Sequence, residues 1–305
     1  GGIKVAEVSF ENRTVIVTGA GNGLGKAYAL DLGSRGAKVV VNDLGGAVDG
    51  SGSGNTPADE VVNEIVANGG EAVANYDSVA TKDGGESIVQ TAIDNFGTVD
   101  AVINNAGILR DKSFANMSEE ELSLIIDVHL KGTFFVTQSA FKVMKENSYG
   151  RIVNVASPSG LFGNFGQSNY GAAKMGIVGL TNVLAIEGAK YNIKVNVIAP
   201  TAYTRMTEAL LPEDVGKLFS AELVTPMVSY LASEACEPSH EIFGVAAGRF
   251  ARIGIITHKG YVNTSASAED IADNIEEIRN IENGTYPLSN EDELMIIQQA
   301  IQGNQ

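Results

Sequence analysis

The sequence is poor in the residues that build disulfides and metal sites. Its 305 residues include one cysteine, Cys236, and three histidines, at positions 129, 240 and 258. A single cysteine cannot form an internal disulfide or a cysteine metal cluster, and the histidines lie at no spacing typical of metal ligands. We therefore expect no metal ion in this protein.

Basic residues and long apolar runs are also scarce. The chain has 21 lysine and arginine residues against 37 aspartate and glutamate residues, for a formal charge of −16. This acidic excess argues against binding to nucleic acid or to an anionic membrane surface. No apolar run approaches the roughly eighteen residues of a membrane span, and we expect no signal peptide. We therefore expect a soluble, cytoplasmic protein in which local backbone donors hold any phosphate-bearing ligand.

Short apolar segments alternate with helical ones along residues 1–250. The apolar segments predict seven strands, at 14–18, 37–42, 72–76, 99–104, 151–156, 193–198 and 241–247. Such alternation predicts an α/β fold of the Rossmann type, a doubly wound parallel sheet of about seven strands with helices on both faces. Residues 44–56 are rich in glycine and serine and predict a surface loop. Residues 118–146 predict a helix interrupted near Gly132.

The last part of the chain lies outside this pattern. Ser267 and Ser289 each precede an acidic first turn and apolar positions, which predicts two helices. The sequence therefore predicts a nucleotide-binding domain over residues 1–250 and a helical C-terminal extension over residues 251–305. We expect the extension to pack or to face a partner rather than to carry chemistry.

The first predicted strand ends in a glycine-rich turn, Gly19-Ala-Gly-Asn-Gly-Leu-Gly25. Strand, glycine turn and helix form the arrangement that receives the pyrophosphate of a dinucleotide. Asp43 ends the second strand, where a carboxylate can accept hydrogen bonds from an adenosine ribose. Because the same charge would repel a 2′-phosphate, the pattern favours NAD over NADP. The alternative is that Asp43 only caps a turn.

Tyr170 and Lys174 stand four residues apart in a helical segment, so both side chains leave the same face. A free tyrosine has a pKa of about 10, and a nearby ammonium lowers it by favouring the phenolate. Ser157 follows the fifth strand and could hold a substrate oxygen beside the phenol. These residues predict proton transfer between an alcohol and a carbonyl; the alternative is an exposed pair without function. Helix 170–188 is apolar nearly all round, which predicts a homodimer.

Several motifs together resemble the short-chain dehydrogenase/reductase family. They are Thr18-Gly-x-x-x-Gly-x-Gly25, Asn104-Asn-Ala-Gly107, Ser157 and Tyr170-x-x-x-Lys174. Stretches such as Val41–Gly46 and Asn105–Asp111 are similar to one branch of that family, the hydroxyacyl-CoA dehydrogenase units of multifunctional enzymes.

The resemblance implies a role for each motif residue. Tyr170 would be the acid and base, Lys174 would lower its pKa and bind the nicotinamide ribose, and Ser157 would orient the substrate oxygen. His129 stands where most members carry asparagine, and it would be either a member of a proton relay or a buried, satisfied histidine. The NAD site, besides Tyr170 and Lys174, would comprise Gly19, Asn22, Gly23, Leu24, Asp43, Asp77, Ser78, Asn105, Ala106, Gly107, Pro200 and Thr204.

The resemblance also implies a reaction. We expect NAD-dependent oxidation of a (3R)-3-hydroxyacyl-CoA to the 3-ketoacyl-CoA, as in fatty-acid β-oxidation. The alternatives are a 17β-hydroxysteroid dehydrogenase and a catalytically silent NAD-binding or scaffolding subunit. If the chain is one unit of a multifunctional enzyme, its location would be the peroxisome.

Overall fold

The computed structural model describes residues 8–202 and 217–303. The chain divides into two compact units, Gly1–Arg252 and Ile253–Gln305. None of the helices in the described ranges is long and apolar enough to cross a membrane.

The sheet contains eight described strands in the order β3-β2-β1-β4-β5-β6-β7-β8. They are β1 (Thr14–Thr18), β2 (Lys38–Asn42), β3 (Glu71–Asn75), β4 (Ala101–Asn104), β5 (Gly150–Val155), β6 (Ile193–Thr201), β7 (Ile242–Ala246) and β8 (Arg249–Ile253). The first seven pair in parallel, with Val15 of β1 opposite Val39 of β2 and Ala101 of β4. The carboxyl ends of these strands therefore meet at one edge.

Helices cover both faces of the sheet, as the sequence predicts. They are α1 (Gly23–Ser34), α2 (Thr56–Ala67), α3 (Lys82–Phe96), α4 (Glu119–Ile125), α5 (Gly132–Asn147), α6 (Pro158–Phe162), α7 (Ser168–Gly188) and α8 (Thr225–Ala232). Apolar residues of α1, α2 and α8 share one buried core, and those of α3, α5 and α7 share the other. Val15 and Val17 of β1 face the first core and Ile16 faces the second, because successive side chains of a strand point to opposite faces. The predicted doubly wound α/β fold is confirmed.

The eighth strand was not predicted from the sequence. Ala247 and Gly248 join β7 to β8, and both have positive φ, 49° and 76°. Two residues of this conformation form a hairpin turn, and so short a connection joins only antiparallel strands. Strand β8 is half-exposed and contains two arginines, Arg249 and Arg252, so it has no apolar run to identify it.

The helical stretch before β5 differs from the predicted one near Gly132. Helix α4 continues through a π-helical segment, Ile126–Lys131, directly into α5. Gly132 has ordinary helical angles, so the chain does not break there. A Cβ at this position would lie 2.7 Å from Val79 Cγ2. The glycine is therefore explained by close packing and not by a helix end.

The second unit contains three described helices where the sequence predicts two. They are α9 (Ala268–Asp273), α10 (Ile275–Arg279) and α11 (Asn290–Gly303). Ser267 begins α9 with a capping box, since its hydroxyl accepts from the Asp270 N–H while the Asp270 carboxylate accepts from the Ser267 N–H. Asn274 separates α9 from α10, which the sequence pattern treats as one helix.

Candidate functional site

A cleft of about 260 Å³ lies at the carboxyl ends of β1, β2, β3 and β4. The strand order reverses between β1 and β4, and ligands of open α/β sheets bind at such a switch point. Ten residues predicted to bind the cofactor line this cleft: Gly19, Asn22, Gly23, Leu24, Asp43, Asp77, Ser78, Asn105, Ala106 and Gly107.

The glycine turn between β1 and α1 is held close to the end of β4. Asn105 donates through Nδ2 to the carbonyls of Thr18 and Gly19, both at 3.1 Å. A Cβ on Gly25 would lie 2.1 Å from the Gly19 carbonyl oxygen, so only glycine fits there. Helix α1 begins at Gly23 in the wall of the cleft, and the first N–H groups of an α-helix have no partner within the helix. The turn therefore fits a pyrophosphate.

Asp43 connects the glycine turn to the loop that follows β2. Its Oδ2 accepts from the Gly21 N–H and its Oδ1 from the Gly45 N–H, each at 2.7 Å. Asp43 thus caps a turn, as the alternative interpretation held, and it also lines the cleft. Because a carboxylate has about four acceptor sites, it can still accept from the two hydroxyls of a ribose.

The glycine- and serine-rich loop after β2 is not merely a surface loop. Its residues Leu44, Gly46, Ala47, Val48 and Gly50 line the cleft. The Val48 carbonyl accepts from the Leu109 N–H at 2.9 Å, and the Asp49 carbonyl accepts from Arg110 Nε at 2.7 Å. These lining residues could not be predicted from the sequence because their composition is typical of solvent-exposed turns, and only contacts with a distant segment reveal their position.

Tyr170 and Lys174 occupy the first two turns of α7, near Ser157. Lys174 Nζ lies 5.5 Å from the centre of the Tyr170 ring and donates to the Val155 carbonyl at 2.7 Å. Ser157 is the N-cap of α6, where its hydroxyl accepts from the Ser159 N–H at 3.2 Å. The Ser157 hydroxyl also interacts with the phenol of Tyr170. The structure therefore brings the three predicted residues together.

His129 lies in the π-helical segment and contacts Tyr170 from the side. The ring centres are 5.1 Å apart and the ring planes meet at 86°. Its Nε2 lies 2.8 Å from the carbonyl oxygen and 3.1 Å from the amide nitrogen of Ile108, which lines the cleft. Its Nδ1 has no hydrogen-bond partner among the described residues. Burial, with the charge of Lys174, lowers the pKa of His129 to about 3, so the imidazole is neutral at physiological pH.

Burial also changes the acid–base properties of Tyr170 and Lys174. It raises the pKa of Tyr170 to about 12, against a lowering contribution from Ser157 and with a smaller raising contribution from Asp111. It lowers the pKa of Lys174 to about 7, because burial disfavours the charged ammonium. Because burial disfavours both charged forms, it opposes the lowering of the tyrosine pKa that a nearby ammonium would cause.

Three further expectations concern residues away from the cleft. Pro200 lies in β6 opposite Val245 of β7 and is not among the described residues that line the cleft. Thr204 lies outside the described residues. Over residues 8–202 and 217–303, no three histidine, cysteine, aspartate or glutamate side chains are grouped so that they could hold a metal ion.

Sequence comparison finds relatives over most of the chain. A model of the short chain dehydrogenase family matches residues 13–214. A putative short-chain type dehydrogenase/reductase of Mycobacterium tuberculosis is 52% identical over 86% of this chain and 92% of its own length. The peroxisomal hydratase-dehydrogenase-epimerase of Saccharomyces cerevisiae is 56% identical over 81% of this chain. This chain spans only 27% of that yeast protein.

Solved structures show the same fold. The full-length peroxisomal multifunctional enzyme type 2 of Drosophila melanogaster matches 97% of this chain and 50% of its own, with a TM-score of 0.82 at 37% identity. A 7α-hydroxysteroid dehydrogenase in complex with NADH and 7-oxo glycochenodeoxycholic acid matches 81% of this chain and 98% of its own. Its TM-score is 0.73 at 26% identity.

Proposed function

This chain belongs to the short-chain dehydrogenase/reductase family, and on that premise we propose that it uses NAD to oxidise a (3R)-3-hydroxyacyl-CoA to the 3-ketoacyl-CoA. The observation that carries the proposal is the grouping of Ser157, Tyr170 and Lys174 next to His129, whose imidazole contacts Ile108 in the wall of the cleft. The side chains of Ser157, Tyr170 and Lys174 would transfer the proton, and the cleft would hold the dinucleotide.

The cofactor assignment rests on the cleft. The glycine turn and the start of α1 would hold the pyrophosphate, and Asp43 would accept from the adenosine ribose. The negative charge of Asp43 favours NAD over NADP. The structural relative that contains NADH supports the same class of cofactor.

Proton transfer is the part of the reaction that this chain supplies. When bound, the oxidised nicotinamide supplies a hydride acceptor and a positive charge. The Ser157 hydroxyl donates to the substrate oxygen, and the Tyr170 phenolate accepts the proton of the alcohol. Lys174, oriented by the Val155 carbonyl, would contact the nicotinamide ribose and add positive charge when protonated. The carbinol carbon loses a hydride and the hydroxyl loses a proton, which balances the two-electron oxidation.

The substrate class rests on the yeast relative. Its name joins a hydratase to a dehydrogenase. Addition of water across a carbon–carbon double bond produces a secondary alcohol, and a dehydrogenase then oxidises that alcohol. This order of reactions supports a hydroxyacyl-CoA substrate in fatty-acid β-oxidation. If the chain is part of a longer multifunctional enzyme, it also supports a peroxisomal location.

A hydroxysteroid is the second candidate substrate. It is favoured by the structural relative that holds a bile-acid ketone, at 26% identity. Among hydroxysteroid reactions, we consider oxidation at the 17β position, as the sequence resemblance implied. A catalytically silent NAD-binding subunit is disfavoured because Ser157, Tyr170 and Lys174 are all present and close together.

The test is a substrate comparison with the purified protein. NADH formation is measured with a series of (3R)-3-hydroxyacyl-CoA thioesters, with their 3S epimers and with estradiol, each beside the Tyr170→Phe variant as control. We expect kcat/KM to be highest for a 3R thioester and the activity to depend on Tyr170. Preference for estradiol would support the steroid alternative, and no turnover of any alcohol would refute the proposal.

A further inference from the structure

We propose that Asn169 is a positioning residue that fixes Tyr170, acting through the first turn of α7; its effect on turnover rests on the function proposed above. Asn169 precedes Tyr170 and is 1% exposed. It lies outside the motifs named above, and its place in the sequence indicates no role.

All the hydrogen bonds of the Asn169 amide connect it to backbone groups. Its Oδ1 accepts from the Tyr170 N–H at 2.7 Å, and its Nδ2 donates to the carbonyls of Arg110 and Glu121, both at 3.0 Å. The Tyr170 N–H lies in the first turn of α7, where helix geometry leaves it without a partner inside the helix. Asn169 therefore satisfies this donor and ties it to two distant segments.

The segment that contains Arg110 is hydrogen-bonded to the loop that follows β2. The Leu109 N–H donates to the Val48 carbonyl, and Arg110 Nε donates to the Asp49 carbonyl. Both acceptors belong to the loop that follows β2, and Val48 lines the cleft. Asn169 thus connects the residue that would move the proton to the segment next to the cofactor cleft.

A second side chain strengthens the same connection. Gln167, which is also buried, donates through Nε2 to the Asp111 carboxylate at 2.7 Å, and the Lys112 N–H donates to the Gly166 carbonyl at 2.8 Å. These bonds hold the start of α7 against residues 110–112. Asn169 differs from Gln167 because its amide bonds directly to the backbone of Tyr170.

The Asn169→Asp substitution is a sharp test, because it keeps the shape of the side chain and removes the amide donors. A carboxylate oxygen would replace the amide nitrogen that faces the carbonyl oxygens of Arg110 and Glu121. Two hydrogen bonds would then be replaced by electrostatic repulsion between oxygens. An acidic residue in the first turn of a helix is otherwise favourable. The change should therefore displace Tyr170 without unfolding α7.

The experiment compares Asn169→Asp with Asn95→Asp, a matched change on α3 where Asn95 Nδ2 donates to one backbone carbonyl at the surface. We expect kcat at saturating NAD to fall by about 10²-fold for Asn169→Asp, a loss typical of displacing a reacting group by about 1 Å. The Kd for NAD should change by no more than about threefold, which corresponds to less than about 1 kcal/mol of binding free energy. Asn95→Asp should change neither quantity.

Two further measurements separate positioning from general damage. In the Tyr170→Phe background, Asn169→Asp should cause no further loss, because the two residues act as one unit. The phenol pKa of Tyr170, obtained by ultraviolet difference titration against the matching Phe variants, should differ between the wild-type protein and Asn169→Ala, which adds no charge that could shift the pKa by itself. This titration needs no substrate, so it decides the role of Asn169 even if the proposed reaction is wrong.

The proposal is overturned if Asn169→Asp keeps wild-type kcat in an active enzyme, or if the Tyr170 titration is unchanged. If Asn169→Asp does not fold, the same measurements on Asn169→Ala, which removes the bonds without adding charge, take its place. If neither variant folds where Asn95→Asp does, the role of Asn169 is structural and the proposal is rejected.

Discussion

Burial controls the chemistry of individual residues in the candidate site. Burial raises the pKa of Tyr170 and lowers the pKa values of Lys174 and His129. Each shift favours the neutral form, as expected where charge is poorly solvated. A working base at neutral pH then requires positive charge beyond what this chain supplies, and an oxidised nicotinamide carries such a charge. This requirement leads to the first of three predictions about residues of the candidate site.

The first prediction concerns the pH at which Tyr170 ionises. In the protein alone, difference titration against Tyr170→Phe should place the phenol pKa above its ordinary value of about 10. With saturating NAD and alcohol, kcat should rise with pH and level off below about 10, because the phenolate is the active form and the cationic ring favours it. A kcat that stays constant between about pH 6 and pH 9 would contradict Tyr170 as the base.

The second prediction concerns Tyr170 and Lys174 as a pair. Tyr170→Phe keeps the ring but removes the proton acceptor, so kcat should fall by at least about 10²–10⁴-fold with NAD affinity largely retained. Lys174→Met should lower kcat and weaken NAD binding together. The double variant should be little worse than the poorer single one. Tyr191→Phe, beyond the end of α7, is the control, and near-normal turnover in Tyr170→Phe would refute the mechanism.

The third prediction concerns cofactor choice. Asp43→Asn removes the negative charge at the end of β2 and keeps the size of the side chain. The ratio of kcat/KM for NAD to that for NADP should fall by about tenfold or more, equivalent to at least about 1.4 kcal/mol. Asp94→Asn, which removes a carboxylate from the surface of α3, should leave the ratio unchanged. Equal efficiency with both cofactors in the wild-type protein would show that Asp43 does not discriminate.

At the scale of elements, α7 has two opposite faces with different roles. One face buries Ala173, Lys174 and Ile177 against the first unit's interior. The other exposes an apolar stripe of Ala172, Met175, Gly179, Val183 and Ile186, spaced by three and four residues. Such a stripe on a helix is typical of a surface that packs against another element.

A homodimer formed through this stripe is the fourth prediction. Val183 is 53% exposed, and Val183→Lys should weaken association because it places a charge on the apolar face. Size-exclusion chromatography with light scattering should give a dimer mass for the wild-type protein and a lower mass for the variant. Val66→Lys, a change at a 52% exposed valine on α2, should keep the dimer. A monomer mass for the wild-type protein at micromolar concentration would refute the prediction.

At the scale of the whole molecule, the two units differ in how many residues they bury. The first unit has extensive cores on both faces of its sheet. In the second unit, Ala300 is the one buried residue among those described, and many large apolar side chains are exposed, among them Ile281, Tyr286 and Met295. Below roughly 70–80 residues a single hydrophobic core rarely contributes more than about 3–5 kcal/mol, and the second unit has scarcely any buried core.

The fifth prediction follows for the second unit alone. A peptide of residues 253–305 should be largely unfolded in water, with a circular dichroism spectrum of low helix content and no cooperative thermal transition. The capping box at Ser267 provides no substitute for a core, since a cap contributes only about 0.5–2 kcal/mol. A cooperative transition in the peptide would show that this unit is stable by itself.

The sequence predicted those parts of the molecule that depend on neighbouring residues. The glycine turn after β1, the four-residue spacing of Tyr170 and Lys174, and the alternation of strands with helices all follow from backbone geometry and local periodicity. The fold class could therefore be predicted, as could the residues at strand ends that line the cleft. Even there, the π-helical segment around His129 and the hairpin to β8 escaped prediction because their local signals are weak.

The tertiary structure decided what depends on residues far apart in the chain. The Val48 carbonyl accepts a hydrogen bond from the Leu109 N–H, which places Val48 in the cleft wall. The Asn169 amide donates to the carbonyls of Arg110 and Glu121. Burial by segments distant in sequence raises the pKa of Tyr170, whereas the spacing to Lys174 favours a lower pKa. Sequence by itself determined which chemical groups are present and which strand ends they follow. Desolvation and long-range hydrogen bonds, which exist only once the chain is folded, decided their charge states and their positions.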